Sequence, residues 1–289
     1  MQIKANGIML EYEEYGPMDG VPLILIRGLG TTLAHWPDEF MQGFAALGYR
    51  TIIYDNRDVG LSQRCPKAGV SGKVADILGA LKAGVIPEPA YEFSEMTLDT
   101  IGLMDALGLD KAHIFGISMG GGIAQLLAIH HADRLLSDTI VMTAAGLRDP
   151  SLLPLVLTYP QTREQAQDAL VTEYSEWGSP GYPMAEDEIR ALAGGLWDRS
   201  HDPEGVNRQA LATFSAPERR EDLQTVDLPC FVLHGEDDAL IPPDAGREIG
   251  VLIPKAELKI LSGMGHIITP KLAPVIVEMV HDFITRRGL

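Results

Sequence analysis

Phe115-Gly116-Ile117-Ser118-Met119-Gly120 is the stretch of this sequence that decides the fold. It joins an apolar, strand-like run at residues 112–117 to a segment whose apolar residues recur at helical spacing from Ile123 onward. A serine between two glycines at such a junction is forced into a sharp turn, which glycine permits because it has no Cβ to clash. The pattern therefore predicts a nucleophile elbow that presents the Ser118 hydroxyl at the end of a strand.

Carboxylates and a histidine follow this serine at the ends of two further predicted strands. Residues 231–233 are typical of a buried strand, and the acidic run at residues 236–238 comes shortly after it. Residues 258–261 predict another strand, and His266 follows on a loop bounded by glycine. Serine, then aspartate, then histidine is the chain order of one triad-bearing fold.

With these motifs the sequence resembles the α/β-hydrolase superfamily over nearly its whole length. Residues 36–40 (WPDEF) and 54–62 (YDNRDVGLS) are similar to the branch that includes aclacinomycin methylesterase and related carboxylesterases of bulky natural products. The resemblance implies an α/β-hydrolase fold and no cofactor. It also implies a structural role for residues 54–62, whose arginine and aspartates are expected to tie loops together.

Strand and helix patterns alternate along much of the chain, which predicts a mainly parallel sheet with helices on both faces. From about residue 149 to about residue 221 the alternation stops, and the chain is rich in proline and in helix-like stretches. We therefore expect residues 1–148 and 222–289 to form the two parts of an α/β-hydrolase core. Residues 149–221 are expected to form an inserted helical cap, with connecting helices that cover nothing as the alternative.

Composition restricts the partners of the protein. Its 23 basic and 40 acidic residues give a formal net charge of −17, which opposes binding to nucleic acid and to anionic membranes. The amino-terminal residues lack the pattern of a secretory signal, and the apolar runs are strand-sized, so we expect a cytoplasmic protein without a membrane span. A mature secreted form is the alternative. Two cysteines give no disulfide framework, and no histidine pair has the spacing of metal ligands, so no metal site is expected.

Three side chains are candidates for catalysis. Ser118 is the candidate nucleophile, and because a free hydroxyl is too weakly acidic to attack a carbonyl at neutral pH, it needs a neighbouring base. His266 is the candidate base, since imidazole titrates at about pH 6.5 and can move a proton both ways. Asp238 is the candidate partner of the far imidazole nitrogen. The two acidic residues before Asp238 are alternatives, but Asp238 stands three residues after Gly235, where the family has its acid.

An oxyanion formed at the substrate carbonyl needs hydrogen-bond donors. The resemblance implies that the backbone N–H groups of Met119, directly after the nucleophile, and of Leu29 supply them. Leu29 lies in the stretch Arg27-Gly28-Leu29-Gly30, in which arginine stands where the family has the histidine of an HG motif. We expect this difference to alter the hydrogen bonding of the loop without removing the backbone donor.

These assignments predict a serine hydrolase that cleaves a carboxylic ester or lactone of a small-molecule substrate through an acyl-enzyme. The branch indicates a bulky polyketide ester or a macrocyclic lactone. Cofactor-free perhydrolase or haloperoxidase activity, carbon–carbon bond hydrolysis and a triad-bearing ligand receptor are alternatives. Four residues of the predicted cap are expected to line an apolar pocket, with ordinary core packing as the alternative: Trp177, Tyr182, Met184 and Trp197.

Overall fold

Eight strands form one sheet in the order β1-β2-β4-β3-β5-β6-β7-β8. The computed structural model describes residues 1–85, 87–146, 157 and 160–289. Within these ranges β1 pairs antiparallel with β2 and β2 pairs antiparallel with β4, while the other neighbouring strands are parallel. The strands are β1 (Gln2–Ala5), β2 (Ile8–Tyr15), β3 (Val21–Ile26), β4 (Tyr49–Tyr54), β5 (Ala112–Ile117), β6 (Leu135–Val141), β7 (Cys230–Gly235) and β8 (Ala256–Leu261).

Helices precede or follow most of these strands. Two short 3-10 turns, Leu33–His35 and Ala132–Arg134, accompany them. The described α-helices are α1 (Asp38–Ala46), α2 (Val74–Lys82), α3 (Phe93–Ala106), α4 (Met119–His130), α5 (Arg163–Trp177), α6 (Glu186–Arg199), α7 (Pro203–Ser215), α8 (Arg220–Leu223), α9 (Pro243–Leu252) and α10 (Ala273–Arg286).

The helices cover both faces of the sheet, and each face has its own cluster of buried apolar side chains. On one face α3, α4 and α9 contribute side chains such as Met96, Ile123 and Ile249. On the other face α1 and α10 contribute Phe40 and Phe283. Because both faces are covered, every residue of β5 and of β7 is buried, as parallel sheets require. The predicted α/β-hydrolase architecture, a mainly parallel sheet with helices on both faces, is confirmed.

In the chain, helices α5, α6 and α7 follow β6 and precede β7, two strands that are neighbours in the sheet. Helices α5 and α6 are antiparallel and are joined by the ion pairs Arg163–Asp198 and Arg190–Asp168. In contrast, residues 205–213 of α7 are all buried. The predicted start of the cap, at residue 149, lies outside the described residues, and its predicted end, at residue 221, falls within α8. The division into core and cap therefore stays a prediction.

A buried carboxylic acid lies in the middle of the sheet. Asp138 of β6 is fully buried beside Cys230 of β7, its register partner. Neither carboxylate oxygen has a hydrogen-bond partner among the described residues. Burial raises the pKa of Asp138 well above its usual range, because the charged form loses its hydration there. The folded protein thus holds the proton of Asp138 to a higher pH than the unfolded chain, which releases it above its ordinary pKa of about 3.9.

Replacing Asp138 by asparagine should stabilise the protein more at pH 8 than at pH 5. In the wild type the folded state binds more protons than the unfolded state over this range, so its free energy of unfolding falls as the pH rises. The loss amounts to about 1.4 kcal/mol per pH unit until the pH reaches the folded-state pKa. The amide of the Asp138→Asn variant has no acidic proton to retain, so its free energy of unfolding does not fall in this way as the pH rises. Urea titrations of both proteins at the two pH values measure the difference.

The exposed Asp19→Asn serves as the control, since it should change stability equally at both pH values. If the free energies of unfolding of Asp138→Asn and wild type differ by the same amount at pH 5 and pH 8, the fold does not hold Asp138 protonated.

Candidate active site

Ser118 lies in a strained turn between β5 and α4. Its backbone φ is 54°, in the left-handed region that non-glycine residues rarely adopt. A Cβ on Gly116 would collide with the carbonyl oxygen of Gly120, and a Cβ on Gly120 would collide with that of Ile26. The two glycines therefore allow α4 to pack closely on the sheet directly after the serine.

The three candidate catalytic side chains meet at this turn. His266 Nε2 lies 3.0 Å from Ser118 Oγ, and His266 Nδ1 lies 2.7 Å from Asp238 Oδ2. Because Nδ1 faces a carboxylate, the hydrogen-bond network assigns the proton of the neutral imidazole to Nδ1. Nε2 is then free to accept the proton of the serine hydroxyl.

Asp238 is buried and surrounded by donors. Its Oδ1 accepts the backbone N–H groups of Leu240 at 3.0 Å and Ile241 at 2.8 Å. His234 Nε2 lies 3.3 Å from Oδ2. Burial alone would raise the pKa of Asp238, but the hydrogen bonds from His234 and His266 and the amide of Ile241 outweigh it and lower the pKa to about 2. The carboxylate is therefore ionised at neutral pH and can stabilise a positive charge on His266.

The neighbouring carboxylates are placed elsewhere. Glu236 is exposed, and Asp237 accepts the backbone N–H of Gly263 at 2.8 Å. Of these three acidic side chains, Asp238 is the one in contact with His266.

The loop that carries His266 is held by a segment of the β6–β7 insertion. We call residues 177–182 the clamp segment and residues 263–269 the histidine loop. The carbonyl oxygen of Trp177 accepts the backbone N–H of His266 at 2.6 Å. Two further hydrogen bonds join the ends of the segments, from Gly181 N to Gly263 O at 2.9 Å and from Thr269 Oγ1 to Tyr182 O at 2.7 Å.

Ser179 makes the central contacts of the clamp segment. Its hydroxyl accepts the backbone N–H of Gly265 at 3.0 Å and donates to the carbonyl oxygen of Ile267 at 2.6 Å. The side chain is thus bonded to the residue on each side of His266, and Ser179 is only 3% exposed. Sequence analysis did not find this residue, because a lone serine in a loop has no pattern that reveals a partner 86 positions away.

The two predicted oxyanion donors belong to segments that both contact the serine. Met119 follows Ser118 in the chain, and Leu29 follows Gly28, on which a Cβ would lie 3.2 Å from the Cβ of Ser118. Within the described part of the chain, neither the Leu29 nor the Met119 amide has a protein acceptor. Their role as oxyanion donors stays a prediction.

Neighbouring side chains hold the Leu29 loop in place. Gln209 of α7, which is fully buried, accepts the backbone N–H of Gly30 at 3.0 Å. Thr31 Oγ1 donates to the carbonyl oxygen of Gly28 at 2.9 Å. The guanidinium of Arg27 lies over the Trp36 ring, 4.6 Å from its centroid. The arginine that replaces the family histidine therefore packs against an aromatic ring, and other residues fix the loop backbone.

The turn at residues 54–62 ties several loops together. Asp55 accepts the backbone N–H groups of Leu33 at 2.7 Å and Leu61 at 2.8 Å. The other charged residues of the turn form two buried ion pairs, Arg57 with Asp99 and Asp58 with Arg208. These contacts are those of a structural element, as the family resemblance implied.

A narrow cavity adjoins Ser118, and the four predicted pocket residues do not line it. Its lining residues are Phe93, Ser118, Met119, Gly122, Thr143, Thr213 and Arg219. Trp177 reaches the site through its backbone carbonyl, Tyr182 packs against the core, and the Trp197 ring contacts that of His201 at 3.7 Å between centroids. Met184 is half-buried. A role of these side chains in substrate binding stays a prediction.

Among the described residues, no cluster of three or more His, Cys, Asp or Glu side chains is arranged to hold a metal ion. Across the same ranges, no helix has the length and apolar character needed to cross a membrane.

A family model described as alpha/beta hydrolase fold matches residues 21–270. Rhodomycin D methylesterase DnrP of Streptomyces peucetius is 28% identical over 292 residues, with 91% of each chain covered. Non-heme chloroperoxidase of Streptomyces lividans is 25% identical over 274 residues, again with 91% of each covered. The crystal structure of the enol-lactonase from Burkholderia xenovorans LB400 is similar with a TM-score of 0.79 and 25% identity, over 99% of this chain and 100% of that one.

Removing the Ser179 hydroxyl should slow the reaction of Ser118 with an aryl fluorophosphonate. Ser179→Ala loses both hydrogen bonds that flank His266, so the imidazole is held less firmly against the serine. Each hydrogen bond contributes about 0.5–1.5 kcal/mol, so if the equivalent of one bond is felt at His266 the rate falls by about two- to tenfold. The measurement is the second-order rate constant of labelling, followed by intact mass.

Ser175→Ala, which removes an exposed serine from α5, should label at the wild-type rate. If Ser179→Ala labels as fast as wild type, the clamp segment does not position His266.

Proposed function

The chain belongs to the α/β-hydrolase fold family, and we propose that it hydrolyses a carboxylic ester or lactone through an acyl-enzyme on Ser118. The observation that carries this proposal is the continuous hydrogen-bond chain from Ser118 through His266 to Asp238, at 3.0 and 2.7 Å. The similarity to a methylesterase and to an enol-lactonase supports an ester or lactone substrate. The predicted resemblance to the aclacinomycin methylesterase-like branch is confirmed.

In the first half of the reaction, Ser118 Oγ attacks the carbonyl carbon while its proton passes to His266 Nε2. The carboxylate of Asp238 stabilises the imidazolium through the Nδ1–H bond. The negative charge that develops on the carbonyl oxygen is placed between the amides of Leu29 and Met119, and one such donor typically contributes about 10²- to 10³-fold in rate. His266 then returns its proton to the leaving alkoxide, which departs as an alcohol and leaves an ester on Ser118.

In the second half, water replaces the alcohol. His266 takes a proton from the water as its oxygen attacks the acyl carbonyl, and the same two amides hold the oxyanion. The intermediate collapses when His266 protonates Ser118 Oγ, which releases the carboxylic acid. Each proton that His266 accepts is thus returned within the same half-reaction, so the cycle needs no external acid or base.

The identity of the substrate is also part of the proposal. The rhodomycin D methylesterase relative supports a bulky natural-product ester, or a macrocyclic lactone, as the molecule cleaved. A second candidate reaction follows from the chloroperoxidase relative, in which hydrogen peroxide in place of water would convert the same acyl-enzyme into a peracid. Halide-dependent dye oxidation that requires both peroxide and acetate identifies that reaction.

Ser118→Ala should lower the hydrolysis of p-nitrophenyl butyrate by roughly 10⁴-fold or more, because no other group can form the acyl-enzyme. The measurement is kcat/KM of the purified variant, with circular dichroism to verify its fold. Ser175→Ala serves as the matched control and should keep the wild-type rate. Hydrolysis by Ser118→Ala at a rate close to wild type would remove Ser118 from the mechanism.

A further inference from the structure

Four arginines are buried among the described residues, and they differ in how their charge is balanced. They are Arg27, Arg57, Arg208 and Arg219. Arg57 and Arg208 each form an ion pair with a buried aspartate through two hydrogen bonds of 2.6–3.0 Å. Arg27 and Arg219 have no carboxylate within ion-pair distance in the described part of the chain. Of these two, only Arg219 lines the cavity beside Ser118.

The contacts of Arg219 are all with neutral groups. Its Nε donates to Gln125 Oε1 at 2.9 Å, its Nη2 donates to the carbonyl oxygen of Ala144 at 3.1 Å, and its Nη1 donates to that of Pro217 at 3.4 Å. One N–H of each terminal nitrogen is left for a ligand. The guanidinium also lies 5.9 Å from the centroid of the Phe93 ring. The nearby Glu218 pairs with the exposed Arg220 instead. Arg219 is 4% exposed, and burial lowers its pKa to about 10, so it remains charged at neutral pH.

The guanidinium of Arg219 packs against the helix that follows the candidate nucleophile. A Cβ on Gly122 would lie 3.4 Å from Arg219 Nη2, so the guanidinium lies against the first turn of α4, which begins directly after Ser118. Two threonines, Thr143 and Thr213, add to the lining, and none of the described lining residues carries a carboxylate. The cavity therefore presents a buried positive charge beside Ser118 in a protein whose net charge is −17.

We propose that this cavity is a subsite for a carboxylate carried by the substrate and that Arg219 recognises it; this rests on the proposed function. A buried charge without an opposite charge is costly, and a substrate carboxylate would offset that cost. A guanidinium suits this task because its planar fork can bind a carboxylate through two parallel hydrogen bonds. The cavity holds about one water molecule, which is the size of one carboxylate oxygen, so only the head of the carboxylate enters it. The predicted substrate class is an ester or lactone that carries a free carboxylate near the carbonyl group that Ser118 attacks.

The subsite is tested with two esters that differ in one end group. Monomethyl glutarate carries a carboxylate at pH 7.5, and methyl pentanoate carries a methyl group at the same place. The wild type should have a higher kcat/KM for the anionic ester. In Arg219→Gln the ratio of the two kcat/KM values should fall by about 10- to 100-fold, the effect of losing one hydrogen-bonded charge pair. A general loss of structure would lower both rates and leave the ratio unchanged.

Arg220→Gln is the matched control, because it removes the same charge from an adjacent, half-exposed side chain and should leave the ratio unchanged. Arg219→Lys, which keeps the charge without the fork, should give an intermediate ratio and replaces Arg219→Gln if that variant does not fold. A wild-type preference for methyl pentanoate, or a ratio that is unchanged in Arg219 variants whose circular dichroism matches that of the wild type, overturns the subsite. Ser118→Ala should abolish hydrolysis of both esters whether or not the subsite exists. This variant therefore tests the proposed function independently of the subsite.

If the wild type hydrolyses neither ester, the subsite is tested by protection. Glutarate should slow the fluorophosphonate labelling of Ser118 in the wild type and should protect Arg219→Lys less well. Equal labelling of the wild type with and without glutarate overturns the proposal.

Discussion

The hydrogen bond between Ser118 Oγ and His266 Nε2 joins residues that are 148 positions apart, and it depends on how the sheet is built. Strands β5, β7 and β8 are parallel members of one sheet, so their carboxyl ends lie at the same edge. Ser118 follows β5, Asp238 follows β7 and His266 follows β8. A different strand order would separate these side chains even if each local turn formed correctly. The site thus depends first on the order of the strands in the sheet and then on the conformation of each turn.

The insertion between β6 and β7 supports both halves of this site. Gln209 of α7 holds the backbone of the Leu29 loop, on the side where the oxyanion is proposed to form. Ser179 and the carbonyl of Trp177 hold the histidine loop on the other side. Both supports act on backbone atoms, so they fix the path of each loop independently of the side chains that the loop presents. A movement of the insertion would therefore alter the positions of the donor loop and the base together.

The sequence predicted the parts of the structure that depend on local patterns. The glycines around Ser118 and the alternation of strands and helices have steric causes that act over a few residues, so the elbow and the fold class could be found. Helix α3 could not, because buried polar residues such as Asp99 interrupt its apolar pattern, and Arg57, which pairs with Asp99, is 42 positions away in the chain. Ser179 was missed for the same reason, as its partners are distant in the chain. Trp177 was predicted from its aromatic ring, whereas its observed contact with His266 uses its backbone.

A covalent acyl group on Ser118 is the central claim, and mass spectrometry of the protein during turnover tests it most directly. Wild-type protein mixed with excess p-nitrophenyl acetate and quenched in acid before the first turnover is complete should carry one acetyl group. Peptide mapping should place that group on the peptide containing Ser118. An acetyl group on another residue, or rapid hydrolysis with no covalent adduct at any time after mixing, would contradict the account.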